Sequence, residues 1–426
     1  MAKAIFETDT NRFLLQALTW SKGFDTVCLF QSNAFHNQYS KIGNILALGA
    51  KSEFSAEEGS VFAGLEEFKS RYPQTMIPGF LSYDLKNEIE ELETRHPNPL
   101  GFPDAYFFVP EIIIEFNPSF ISIESDDPEQ VFESILRAEP LGEDYKFEGE
   151  IKPRMDQKMY FDAFQKIQDH IHQGDIYEAN LCQEFYDDQA FLDHPEALYL
   201  RLNSLSPTPF SSFIKVKDKF IISASPERFL AKRGDTLISQ PIKGTAARGS
   251  NEKEDRELRE NLANNPKEIA ENVMIVDLVR NDLTRSAIPG TVEVTEKLGI
   301  YSFEHVHQMI STVSCKMDMN LNNTEVIRNT FPAGSMTGAP KISAMKLCDR
   351  YENSRRGVYS GAIGYFSADG DFDFNVVIRT ILYNSTNNYL SFHTGSAITV
   401  DANAAYEFAE CYTKASAILK ALEQKL

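Results

Sequence analysis

The chain has 426 residues, 42% hydrophobic and 24% charged, an ordinary globular composition long enough for one large domain or two smaller ones. Its formal net charge of −20 and pI of about 4.9 repel phosphate backbones and anionic lipid, which argues against nucleic-acid and membrane-surface roles. An anionic substrate would need a local cationic or metal-lined pocket to overcome the same field.

Five cysteines, Cys28, Cys182, Cys315, Cys348 and Cys411, are scattered and form no CxxC pair. Neither a disulfide framework nor a zinc site is expected from them. The first residues, MAKAIFETDTNRF, carry acids and no apolar stretch of the signal-peptide kind. No apolar run approaches the roughly 20 residues that span a bilayer, and the expected location is the cytoplasm.

In chain order, TVCLFQ reads as a strand, SAEEGSVFAGLEEFKSRY as a helix, and GFLSYDL and AYFFVPEIIIEF as strands. From Glu124 to Pro153 the chain turns rich in acids, Gly and Pro, and reads as a surface connection with about one helical turn. A soft boundary there separates an N-terminal region, 1–150, integrated in the same fold, from a catalytic domain, 151–426. Tyr160, Phe164, Ile167 and Ile171 then form a helical apolar stripe stopped by Gly174. IYEANLCQEF, KFIISASPERF, GAIGYFSA, DFNVVIRTILY and YLSFHTGSAI are strand-like. Two later helices carry the stripes Ile269, Val273, Val276, Val279, Leu283 and Phe408, Tyr412, Ala415, Leu419, Leu422. Many strands at hairpin-like spacing, interrupted by helices, predict an α+β fold, with antiparallel sheets forming a sandwich core and helices packed outside.

Four constellations bear chemistry. Glu268 and Glu271 share one helix face, and Glu407, Glu410 and Lys414 share another. Acids beside a buried stripe suit Mg2+, which takes one or two carboxylates and completes its octahedron with water or substrate oxygens; they equally suit solvated faces with a Glu410–Lys414 pair. In SASPERF, Glu227 follows a proline at a strand end, where burial would raise its pKa for general-acid work; the plainer reading is an exposed turn. In QPIKGTAARG, Lys243 is either a surface lysine or, with its pKa depressed from about 10.4, a nucleophile. PAGSMTGAPK fails the phosphate-loop spacing, because Gly334 and Gly338 are too close and Lys341 follows Pro340; a turn presenting backbone N–H groups and Thr337 to a carboxylate remains open. His305 and His307 read as structural.

The order GDIYEANLCQEF, SASPERF, PIKGTAARG, ENVMIVDLVRNDL, PAGSMTGAPK, GVYSGAIGYF, VVIRTIL, AYEFAECYTK resembles that of the chorismate-utilising enzymes, from about Lys158 to the C-terminus, with a weaker match through GFLSYDL. That family includes anthranilate synthase component I, aminodeoxychorismate synthase component I, and the isochorismate and salicylate synthases. The resemblance implies Mg2+ held by Glu271 and Glu410, with Glu268 and Glu407 nearby, and Glu227 as the acid protonating the departing C4 hydroxyl. It implies chorismate binding by Thr337, Tyr359, Arg379, Gly395, Lys414, Gly244 and Thr245. Lys243 matches the lysine of the aminodeoxychorismate branch, where it attacks C2 before ammonia adds at C4; anthranilate synthases usually carry alanine there. The implied reaction is amination of chorismate to 4-amino-4-deoxychorismate for p-aminobenzoate and folate synthesis, with ammonia from a separate glutaminase subunit. Anthranilate synthase component I and a non-catalytic chorismate- or amino-acid-binding regulatory subunit are the alternatives. The departures are Glu178 for a glutamine, Gln308 for a histidine, Gly395-Ser396-Ala397 for a triple-small turn and Asn403-Ala404-Ala405 for DPE. The first two are expected to touch the pocket and the last two to be tolerable loop changes.

Overall fold

The computed structural model describes all residues except 36, 37, 42, 57, 58, 91, 305 and 426; the expectation for His305 therefore lies outside the described residues. Runs of β-branched and aromatic side chains pair wherever both their faces can be covered. Among the described residues, twenty strands join into one hydrogen-bonded network. The pairings are antiparallel, as in Asn44–Ala56 against Ala105–Phe116 and Glu178–Asp187 against Tyr389–Ile398. The network runs across the sequence: Thr26–Gln31 pairs with Phe210–Val216, and Ile77–Leu81 with Ala362–Phe366.

Helices cover this sheet through two main cores. One gathers Phe13, Leu29, Phe213, Phe392 and Ile418 beneath the helices Thr10–Ser21, Pro195–Leu205 and Ala404–Ala421. The other gathers Leu65, Phe107, Val276, Leu283 and Phe331 beneath Val61–Ser70, Pro266–Thr284 and Asn323–Thr330. The α+β architecture with antiparallel sheets inside and helices outside is the one expected. No helix among the described residues is long and apolar enough to cross a membrane, and all five cysteines are buried and unpaired.

Locally, the apolar periods hold with instructive exceptions. Gly174 ends the helix Gln157–Gln173 in a left-handed cap at φ 83°, a conformation open to glycine. Val273, expected in a buried stripe, faces outward, and Glu271, Asn272 and Ile275 lie inward instead; the helix turns its acid edge toward a cleft. The acid-rich stretch after Glu124 holds a helix, Pro128–Leu136, capped by Asp127, where about one turn was expected.

Candidate functional site

Two strand interruptions build one wall of a cleft. KFIISASPERF and DFNVVIRTILY read as continuous strands, but each is broken. Lys219–Ser225 stops before Pro226, which has no N–H for the ladder, and the next strand begins at Arg228. Glu227 sits in the gap and lines the cleft. Phe372–Val376 and Thr380–Asn384 are separated by a turn in which Arg379 adopts φ +53°, a strained value for a residue with a Cβ. The turn carries the Arg379 guanidinium into the cleft, where it has no hydrogen-bond or ion-pair partner among the described residues. Burial lowers its pKa, so an anion is what this position lacks.

The floor is the paired strands Glu178–Asp187 and Tyr389–Ile398, with Gly395 opposite Cys182. A Cβ on Gly395 would stand 2.6 Å from Cys182 Sγ and 2.9 Å from Asn180 Nδ2; only glycine fits. Lys414 Nζ donates to the Gly395 carbonyl at 2.8 Å. Tyr359 and His393 stack with ring centroids 5.0 Å apart and both line the cleft. The cleft, with its open mouth and the solvent there included, spans about 1020 Å³.

Two helix N-termini supply the opposite side. Asn265 caps Pro266–Thr284 through the Lys267 and Glu268 amides, and Asn403 caps Ala404–Ala421 through those of Ala405 and Tyr406. Asn403 is thus a working N-cap for this helix. Glu268 and Glu407 fall in the first turns, where the helix dipole favours acids; Glu271 and Glu410 follow one turn on. All four line the cleft. Ser396, expected in a loop, is instead buried within the strand Tyr389–Ile398 and donates to Glu407 and, at 2.5 Å, to Glu410. Glu271 Oε1 is buried with no hydrogen-bond partner, and burial pushes its carboxyl up to about 7.

These carboxylates fit a hard cation. No group of three or more His, Cys, Asp or Glu among the described residues could hold a metal unaided. Mg2+ does not require one, because water and substrate oxygens complete its shell. The Glu271 Oε1 lone pairs, buried and without a hydrogen-bond donor, are what a cation there would satisfy.

Lys243 faces the same cleft, as do Gly244 and Thr245. Gly244 has φ +95°, and a Cβ there would come within 3.1 Å of Glu268 Oε2. The expectation of a depressed Lys243 pKa is overturned. Its Nζ donates to Glu178 Oε1 at 2.9 Å. Burial lowers the pKa, but Glu178, Glu271 and Glu227 together outweigh it and hold the ammonium well above its ordinary value. Glu227, 4% exposed, is pushed by burial up to about 7, with the Lys243 charge among the groups opposing the shift.

Thr337 is not brought to the cleft. The Gly-rich turn folds against the start of the floor strand, with Gly338 opposite Ala179. The Thr337 carbonyl takes the Asn180 N–H, and its hydroxyl donates back to Gly334 O at 3.0 Å. Ser335 and Met336 line the cleft in its place. Gln308 lines the cleft with its Oε1 unpartnered. His307 points away, held between Ser302 at 2.8 Å and Asp255 at 3.0 Å, the structural role expected of it. Sequence reasoning missed Lys267, whose only sequence signal is its place in a capped first turn. It also missed a second cavity, lined by Ser32, Lys41, Phe210, Arg228 and Gln240, which shares Pro226 and Ile242 with the lining of the cleft.

A family model for chorismate binding enzymes matches residues 26–420. The chain is 34% identical over 349 residues to aminodeoxychorismate synthase component 1 of Klebsiella aerogenes, covering 81% of this chain and 76% of that one. It is 31% identical over 414 residues to anthranilate synthase component 1 of Thermus thermophilus, covering 89% of each. Anthranilate synthase component I from Streptococcus pneumoniae TIGR4 superposes with a TM-score of 0.76 at 27% identity, over 90% of this chain and 95% of that one. MenF, the menaquinone-specific isochorismate synthase of Escherichia coli, shares the fold, with a TM-score of 0.78 at 16% identity over 99% of this chain and 94% of that one.

Proposed function

Because the chain belongs to the chorismate-binding enzyme family, we propose that it aminates chorismate with ammonia to 4-amino-4-deoxychorismate. The observation that carries this reading is Lys243 in one cleft with a buried, protonated-range Glu227. Glu227 donates its proton to the leaving C4 hydroxyl. Lys243 Nζ, in its neutral form after losing a proton, bonds to C2 and shifts the ring double bonds as that hydroxyl departs as water. Ammonia then adds at C4, and the C2–N bond breaks to release the lysine. Arg379 and Lys414 receive the substrate's carboxylates, and Tyr359 packs the floor. Mg2+, when bound, supplies positive charge to a carboxylate of the substrate; Glu271 and Glu410 would hold it, with Glu268 and Glu407 beside them. The acidic surface is thereby compatible with a dianionic substrate.

A second reading, attack of ammonia itself at C2 to give anthranilate, is favoured by one observation: the Glu178 contact that keeps Lys243 protonated. Incubation with chorismate, Mg2+ and ammonium, followed by mass and fluorescence analysis, separates the two products. Neither product would leave the regulatory-subunit reading. Ammonia should come from a separate glutaminase subunit, since no cysteine lies in a Gly-flanked nucleophile turn. Turnover is expected with ammonium at raised pH, and with glutamine only after a glutaminase subunit is added. Glutamine-driven turnover by the chain alone contradicts this.

Glu227→Gln is expected to lower amination by about 10²- to 10⁴-fold, the usual worth of a positioned acid. The raised carboxyl keeps its proton below about pH 7. Because free Lys243 amine grows with pH while the Glu227 proton is lost above that value, the wild-type rate of the Lys243 step should rise with pH and then level off near pH 7, and the variant should lack this break. Calorimetry should find chorismate still bound; lost binding would assign Glu227 a structural role.

A further inference from the structure

Three lysines reach the acidic side of the cleft. Lys243 pairs with Glu178 on the floor strand, and Lys414 donates to the Gly395 carbonyl and pairs with Glu410 of its own helix at 3.2 Å. Lys267 bridges the two acid-bearing helices. Its Nζ lies 3.1 Å from Glu407 Oε1 and 3.7 Å from Glu271 Oε1, the oxygen that has no hydrogen bond. The ammonium therefore stands between the two helices, among the acids expected to receive a divalent ion. It also lies 5.0 Å from the centre of the Tyr406 ring.

We propose that the Lys267 ammonium is an internal occupant of the cation site, and that it must swing out for a divalent ion to enter. The inference rests on the Mg2+ assignment above and deepens it: metal affinity is set by competition with the chain's own side chain. The physical case has three parts. A lysine in the first turn of a helix opposes the dipole, so its inward position depends on the carboxylates it bridges. Its side chain is 39% exposed, which leaves a route to solvent on a flexible four-carbon stem. A divalent ion of small radius, approached by carboxylates at about 2.0–2.1 Å, draws Glu271 and its neighbours more strongly than an ammonium beyond 3 Å does. With Lys267 inward, the carboxylates are partly compensated without metal; with Lys267 swung out, they are left to the ion.

The test is Mg2+ titration of the purified chain by calorimetry and by thermal shift, without ammonia, with and without chorismate. Lys267→Gln should bind Mg2+ roughly three- to tenfold tighter than wild type, the screened effect of one half-exposed charge. It should melt lower than wild type in the absence of metal, and the difference should close as Mg2+ is added. Lys267→Arg, which keeps the charge, should bind like wild type and controls for folding. Unchanged or weaker Mg2+ binding by Lys267→Gln, with wild type binding normally, overturns the inference alone. Failure of wild type and Lys267→Gln alike to bind Mg2+ overturns the metal assignment and the inference with it. Both outcomes are read independently of which product forms.

Discussion

Lys243→Ala is expected to abolish amination at C4, a loss of about 10⁴-fold or more on the scale of removing a covalent nucleophile. Wild-type enzyme given chorismate and Mg2+ but no ammonia should accumulate an adduct on Lys243 equal in mass to chorismate less water, located by intact-protein mass spectrometry and peptide mapping. The pairing with Glu178 fixes the sign of the pH effect. A lysine held above its ordinary pKa presents its free amine as a minority form that grows with pH, so adduct formation should accelerate up to about pH 7, above which loss of the Glu227 proton offsets the gain. Lys243→Ala should still bind chorismate and Mg2+, and slow anthranilate formation would show C2 opened to ammonia. Normal amination by Lys243→Ala, together with an adduct-free wild type, would remove the covalent mechanism and leave the C2 reading.

Glu271→Gln and Glu410→Gln should each reduce activity to near background. Each removes an anion from a site with few protein ligands, and the two side chains come from different helices. The fold should survive. Neutralising Glu271, whose burial already pushes its carboxyl up to about 7, relieves a charge that the metal-free protein accommodates poorly. Calorimetric Mg2+ binding should weaken in both variants; a wild-type titration curve in either refutes the assignment.

Much of the frame was readable because its signals are local. The stripe on Gln157–Gln173 and its stop at Gly174 need only a period of 3.6 and a left-handed cap. Glu268 with Glu271 and Glu407 with Glu410 share faces by spacing alone. What was not legible depends on partners remote in sequence. Lys243 has its charge state decided by Glu178, 65 positions earlier. Ser396 read as a small-residue substitution, but burial places its hydroxyl between two carboxylates. Arg379 takes a positive φ that no glycine advertises. Thr337 sat in a motif whose backbone spends its polar groups on the floor strand. Family resemblance named residues that the fold gathers into one cleft, Thr337 excepted, while packing decided which atoms face it.

The pairing of early strands with late ones has a consequence for how the polypeptide matures. Ile77–Leu81 and Thr26–Gln31 emerge from the ribosome long before Ala362–Phe366 and Phe210–Val216, their eventual neighbours. At ~5–20 residues per second, Ala362–Phe366 arrives roughly fifteen seconds to a minute after Ile77–Leu81. Throughout that interval a fully buried strand has one edge unsatisfied, the arrangement that templates intermolecular pairing. Because such distant contacts make closure slow, the nascent chain is a natural client for holding chaperones, and its soluble yield should depend on translation speed and temperature more than the compactness of the finished sheet would imply.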